Sequence, residues 1–183
     1  DSNKEMSYLH YIMMGLNDET TGVFSSEDVP YMLSFDSAEE KKEANIRVIK
    51  DRLQTFGPVN YLKFINKKCL VNYNDGTFAW GVEGDFFKGI SYNSGGKVQR
   101  MLKEIYYPEG DKYSLYTYIS QSIWLMILGG CFIEGILSLK RPSKERCVVF
   151  LSIIGITLFN LLFEARARYL LLYVPFFILL TGC

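Results

Sequence analysis

The stretch YSLYTYISQSIWLMILGGCFI, residues 113–133, runs for 21 residues without a charge. As a helix it is about 30 Å long at about 1.5 Å per residue, the thickness of a bilayer's hydrocarbon core. Two further charge-free runs follow, 17 residues from Cys147 to Phe163 and 15 from Tyr169 to Cys183. Upstream the composition reverses. Residues 1–112 carry 14 Lys/Arg and 17 Asp/Glu, so the near-zero mean hydropathy of the chain averages two segments suited to different solvents. The expected architecture is mainly α: a helical region with minor irregular or β segments over 1–112, then transmembrane helices over 113–183.

Orientation follows from the connection KRPSKER, residues 140–146, which holds four cations and one acid. A short loop this basic stays in the cytoplasm. The expected spans are then 113–139, 147–163 and a shorter 169–183, with residues 1–112 and the turn Glu164–Arg168 extracytoplasmic in a multi-pass cell-membrane protein. Tyr106, Tyr107, Tyr113, Tyr116, Tyr118 and Trp124 cluster where the first span begins, which reads as an outer aromatic belt. The polar region begins at Asp1 without a signal peptide and yet has to cross the membrane. The chain therefore reads as the C-terminal piece of a longer polytopic protein whose earlier helices are partners in the fold.

Within the polar region, Ser37-Ala38-Glu39-Glu40 has the capping-box spacing, and Ile46, Ile49, Leu53 and Phe56 follow at helical intervals, predicting a helix over 38–56. Gly57 suits its end and Pro58 the start of another. In that second helix Tyr61, Leu62, Ile65 and Cys69 form an apolar stripe while Lys63, Lys67 and Lys68 make a basic face. It either lies on the membrane or packs on the first helix. Asn74-Asp75-Gly76 signals a turn, Thr77–Gly81 is β-prone or irregular, Ser91–Gly96 is loop, and Val98–Tyr107 is a short helix leading to the first span.

Several chemistries find no support. Gly84 and Gly89 are not followed by Lys-Ser/Thr, so no phosphate loop is present. The four cysteines have no metal-like spacing, and the single His10, in an apolar stretch, lacks metal or catalytic partners and reads as structural. Glu27, Asp28 and Asp36 read as solvated surface. Basic and acidic residues balance, which excludes a nucleic-acid partner. No cofactor and no metal is indicated.

The informative charges are Glu164, Arg166 and Arg168, between two apolar runs on the side where arginine is disfavoured. Guanidinium groups at the outer boundary suit a lipid phosphate or pyrophosphate through bidentate hydrogen bonds, with Glu164 able to orient one of them and Tyr169 adding a hydroxyl donor. The alternative is a solvated turn in which the charges pair with one another. Pro175 is placed to kink the last span or line a cavity, and Glu134, near the inner end of the first span, to snorkel, a proton relay being the less favoured reading.

The strings HYIMMGLN (10–17), FGPVNYLKF (56–64), NDGTFAWG (74–81) and LLFEARARYLLLYVPFF (161–177) resemble the C-terminal third of membrane glycosyltransferases of family 39 in Gram-positive bacteria. The Arg168-Tyr169-Leu170 element with Pro175 downstream is similar to the pattern of the protein mannosyltransferase and aminoarabinose transferase relatives. The resemblance implies a polytopic cell-envelope enzyme of the C-type fold that moves a sugar from a polyprenyl-phosphate donor to an extracytoplasmic cell-wall polymer, surface glycan or protein. It also implies that the catalytic acid lies in an earlier outer loop, so that this piece holds no catalytic residue, and that Arg168 and Tyr169 contact the donor phosphate. Glu164 and Arg166 join them by location only. A non-catalytic export or assembly protein, or a membrane-anchored sensor, is the competing reading.

Overall fold

In a computed structural model of the chain, the structure describes residues 6–80, 96–140 and 143–181. The helices are α1 (Tyr8–Gly15), α2 (Asp28–Leu33), α3 (Ala38–Tyr73), α4 (Lys97–Tyr106), α5 (Tyr113–Lys140), α6 (Lys144–Leu162), a 3-10 segment (Ala167–Tyr173) and α7 (Val174–Thr181). The described residues contain no strand. Of the two readings of Thr77–Ala79, β-prone or irregular, the structure takes the irregular one. Asp75 instead accepts hydrogen bonds from the Thr77 amide at 2.8 Å and the Ala79 amide at 2.6 Å, which closes the backbone into a turn. Gly81, the Gly84 to Gly89 stretch, the Ser91–Gly95 loop and Cys183 lie outside the described residues.

Two compact units emerge, one of Asp1–Asn72 with Gly155–Arg166 and one of Tyr73–Ile154 with Ala167–Cys183. They follow packing rather than the hydropathy boundary at residue 112.

In the first unit the Ser37–Glu40 capping box forms reciprocally. The Ser37 hydroxyl accepts the Glu40 amide at 3.2 Å, and the Glu40 carboxylate accepts the Ser37 amide at 3.1 Å. At Gly57 the backbone leaves helical geometry with φ 61° and ψ 170°, a conformation open essentially to glycine alone, and Pro58 opens the next turn. Helix α3 therefore consists of two arms, as the Gly-Pro pair predicts. Met13, Met32 and Ala44 form one apolar cluster with Phe35, Val48 and Ile49 against it, and Leu16, Phe56 and Phe64 form another with Ile12, Tyr61 and Ile65. The second arm thus packs in the core. Its buried stripe is Phe64, Lys68 and Asn72, while Leu62 is exposed, so the division into an apolar stripe and a lysine face is corrected by one helical position.

Helix α5, in the second unit, is 28 residues long, and α6, whose residues belong to the second unit up to Ile154 and to the first from Gly155, is 19; each has an apolar window of mean hydropathy 1.8, and only 6% and 11% of those windows are buried. Apolar helices left this uncovered are not the core of a soluble domain, and both are long enough to cross a bilayer. Helix α7 packs on α5 where Gly130 leaves room for the Thr181 side chain, and the Cys131 thiol donates to the Phe177 carbonyl at 3.3 Å. The third apolar run is not one α-helix. It begins as 3-10 backbone, and Pro175 stands at the second position of α7, where its missing N–H costs nothing, so it opens a helix rather than kinking one.

Two further expectations change here. Trp124 is not at a lipid interface. It is 2% exposed, donates to the Tyr73 carbonyl at 2.8 Å and meets the Phe78 and Phe177 rings edge-on, because the turn at 74–79 folds back over α5. The tyrosines do gather, with the Tyr106 and Tyr116 rings 4.9 Å apart and Tyr118 exposed. Glu134 is paired with Arg146 at 3.7 Å, an ion pair between α5 and α6 rather than a lone snorkelling acid.

Candidate functional site

Lys68 is fully buried on the second arm of α3, an address lysine takes only when its charge is answered. Its ammonium has three protons and donates to three carbonyls, those of Gly15 at 2.6 Å, Leu161 at 2.8 Å and Phe163 at 2.6 Å. Gly15 ends α1, and Leu161 and Phe163 belong to the last turn of α6 and its exit. Each helix leaves unpaired carbonyls and partial negative charge at its C-terminus, so a single cation closes two helix ends. Burial pulls the Lys68 ammonium down to about 8, while the Glu164 carboxylate pulls it back up. Glycine is required beside it. A side chain at Gly15 would lie 2.5 Å from the Phe163 carbonyl oxygen, and one at Gly22, where φ is 75°, would collide with the lysine stem.

That closure sets the chain direction leaving α6. The Ala165 amide donates to the Gly22 carbonyl at 2.7 Å, holding the segment against the loop after α1. Glu164, 6% exposed, then faces inward and accepts a hydrogen bond from Arg166 Nε at 2.9 Å, with the guanidinium 6.0 Å from the Phe24 ring. The Glu164 and Arg166 reading divides accordingly. Glu164 does orient an arginine, and in doing so it neutralises that arginine within the first unit.

Arg168 and Tyr169 belong to the second unit, at the head of the 3-10 segment. Arg168 is exposed and its guanidinium carbon stands 5.5 Å from the Tyr169 ring centroid, a cation–π stack that holds the charge in a set place. Of the four residues singled out from sequence, the fold pairs Glu164 with Arg166 and Arg168 with Tyr169.

Around the Lys68 closure, Asp28 takes a structural role that the sequence did not indicate. Asp28 is not solvated surface. It is 6% exposed, receives Arg52 at 2.7 and 3.1 Å and Asn17 at 3.2 Å, and Arg52 also donates to the Met13 carbonyl at 2.6 Å. His10 is 2% exposed and held below its ordinary value by burial, against the opposing pull of Asp28 and Glu164. No group of metal-ligating side chains exists among the described residues. Lys68 was missed because three lysines at 63, 67 and 68 look alike in sequence. The one available signal was its helical register with Phe64, which places it on the core side.

A cleft of about 360 Å³ opens beside the two arms of α3, with Leu16, Phe56 and Phe64 as its floor and Arg52, Asp18 and Asp51 on its walls. Its opposed charges mark no single ligand chemistry.

A family model described as "Conserved hypothetical integral membrane protein" matches residues 1–183. No curated protein and no solved structure gives a significant match.

Proposed function

The chain belongs to the family of conserved hypothetical integral membrane proteins, and from that premise we propose that it is the C-terminal part of a membrane glycosyltransferase using a polyprenyl-phosphate sugar donor. The observation that carries the reading is Arg168, exposed over the Tyr169 ring at the head of a segment that continues directly into apolar helix. A lipid phosphate needs a fixed cation at the headgroup level and apolar surface below it for the tail. The basic connection after α5, by the positive-inside rule, supports a cytoplasmic position for that end of the helices and so the reading of Arg168 on the outer side, where a lipid-linked sugar is used. Arg166, already bound to Glu164, shapes the segment instead of contacting the donor. The resemblance of residues 161–177 to family 39 transferases supplies the reaction, transfer of a sugar to an extracytoplasmic acceptor.

The test uses the full-length parent in membranes supplied with radiolabelled polyprenyl-phosphate sugars. Arg168→Ala is expected to cut transfer by roughly 10- to 100-fold, the worth of a charge-assisted hydrogen bond, with membrane insertion unchanged and partial recovery in Arg168→Lys. Undiminished transfer in Arg168→Ala removes the phosphate contact. A parent that transfers no sugar but is needed for surface-polymer export moves the protein to the non-catalytic class.

A further inference from the structure

Helix α4, Lys97–Tyr106, is the most strongly amphipathic helix among the described residues, and its apolar face is uncovered. At 100° per residue Val98, Met101, Leu102 and Ile105 fall on one side, with Lys97, Arg100, Lys103 and Glu104 opposite. Val98 is 67% exposed, Met101 50% and Leu102 44%, and none of the helix's residues is buried. This is costly in water, yet the helix is anchored with care. Trp80 Nε1 donates to the Tyr106 carbonyl at 2.7 Å, the Lys112 amide donates to the Glu104 carbonyl at 3.0 Å, and the Tyr106 ring meets Tyr116 on the first turn of α5. The apolar face is therefore held next to the point where α5, itself apolar and largely uncovered, begins.

We infer that α4 is an interfacial helix whose occupant is the lipid bilayer, its Val98, Met101 and Leu102 face sunk among the acyl chains and its Lys97, Arg100 and Lys103 at anionic headgroups. Two observations identify lipid as the partner. The exposed apolar surface of α4 leads within seven residues into the span that starts at Tyr113, so it stands at membrane depth by continuity. Its polar face has three cations and one acid, the sign that attracts acidic phospholipid. The tyrosines at 106, 113 and 116 bridge the two helices at the level where amphipathic rings are favoured.

The experiment places nitroxide labels, one at a time, by Val98→Cys, Met101→Cys and Arg100→Cys in the protein with its native cysteines replaced by serine. The labelled proteins are reconstituted in phosphatidylcholine–phosphatidylglycerol vesicles and in phosphatidylcholine alone. Collision with oxygen relative to a water-soluble nickel chelate is expected to be several-fold higher at positions 98 and 101 than at 100, with the contrast larger when the acidic lipid is present. Equal, high nickel accessibility at all three positions overturns the inference, since the helix then lies in water. Labels at 98 and 101 that are shielded from both agents overturn it too, because the face is then covered by protein.

Discussion

Lys68 Nζ lies 2.6 Å from the carbonyl oxygen of Phe163, a residue 95 positions further along the chain. With the bonds to Gly15 and Leu161 it joins the N-terminal helices to the end of α6 through one side chain, and the position of the Glu164–Arg166 pair depends on it.

Replacing that side chain by an isosteric apolar one leaves three buried carbonyls without a donor, at ~1–3 kcal/mol each. Lys68→Met is expected to destabilise the protein by at least about 3 kcal/mol. Thermal melts in detergent, followed by circular dichroism, check this as a Tm lower by several degrees.

The same lysine gives a pH dependence of opposite sense to the usual expectation for a bound cation. Its folded value of about 8 lies below the ordinary 10.5, so between those values the unfolded chain holds more protons than the folded one, and stability from this group rises with pH across that window. Below about pH 8 both states hold the proton and the desolvation cost is paid in full. The Tm advantage of the wild type over Lys68→Met, measured from pH 7.5 to 10.5, should widen as pH rises. A flat difference would refute the assignment.

His10 acts in the acidic range. Its folded value is lowered by burial, so on acidification the unfolded chain takes up the proton first and stability falls as pH drops through 6.5. His10→Gln should flatten the Tm profile between pH 7 and 5, which the same melts report.

Gly57 separates geometry from packing. No atom lies within 4 Å of a methyl group added there, so Gly57→Ala costs only the backbone strain of φ 61° and ψ 170°. A loss of about 1–3 kcal/mol is expected, read by chemical denaturation in detergent. The matching Gly96→Ala, also open but at ordinary φ, should leave stability unchanged.

Glu164 and Arg168 should separate stability from function. Glu164→Gln weakens a buried partner of Arg166 and removes the charge that sustains Lys68, at a cost of roughly 1–3 kcal/mol in folding. Arg168→Ala, at an exposed position, should lower Tm by less than Glu164→Gln does. Melts of the two variants side by side make the comparison.

Local signals in the sequence were legible because they act within a few residues. The Ser37–Glu40 box, the break at Gly57-Pro58, the Asp75 turn and the two apolar helices each follow from neighbours along the chain, and all appear where the pattern puts them. The third apolar run was misread as one helix because hydropathy does not distinguish 3-10 from α backbone. Around the candidate site, the Glu164–Arg166 contact spans two residues and was within reach of sequence reasoning. The roles of Asp28 and Trp124 were not, because each is defined by a partner dozens of residues away.

By itself the sequence determined the mainly α character of the chain, the capped start of α3 and its break at Gly57-Pro58, and the two stretches long and apolar enough to cross a bilayer, since helix propensity, capping and hydrophobic length are properties of contiguous residues. Tertiary structure alone decided which of three similar lysines is buried. Lys68 rather than Lys63 or Lys67 meets the ends of α1 and α6, because only its register on α3 points an ammonium at carbonyls that two distant helices leave unpaired.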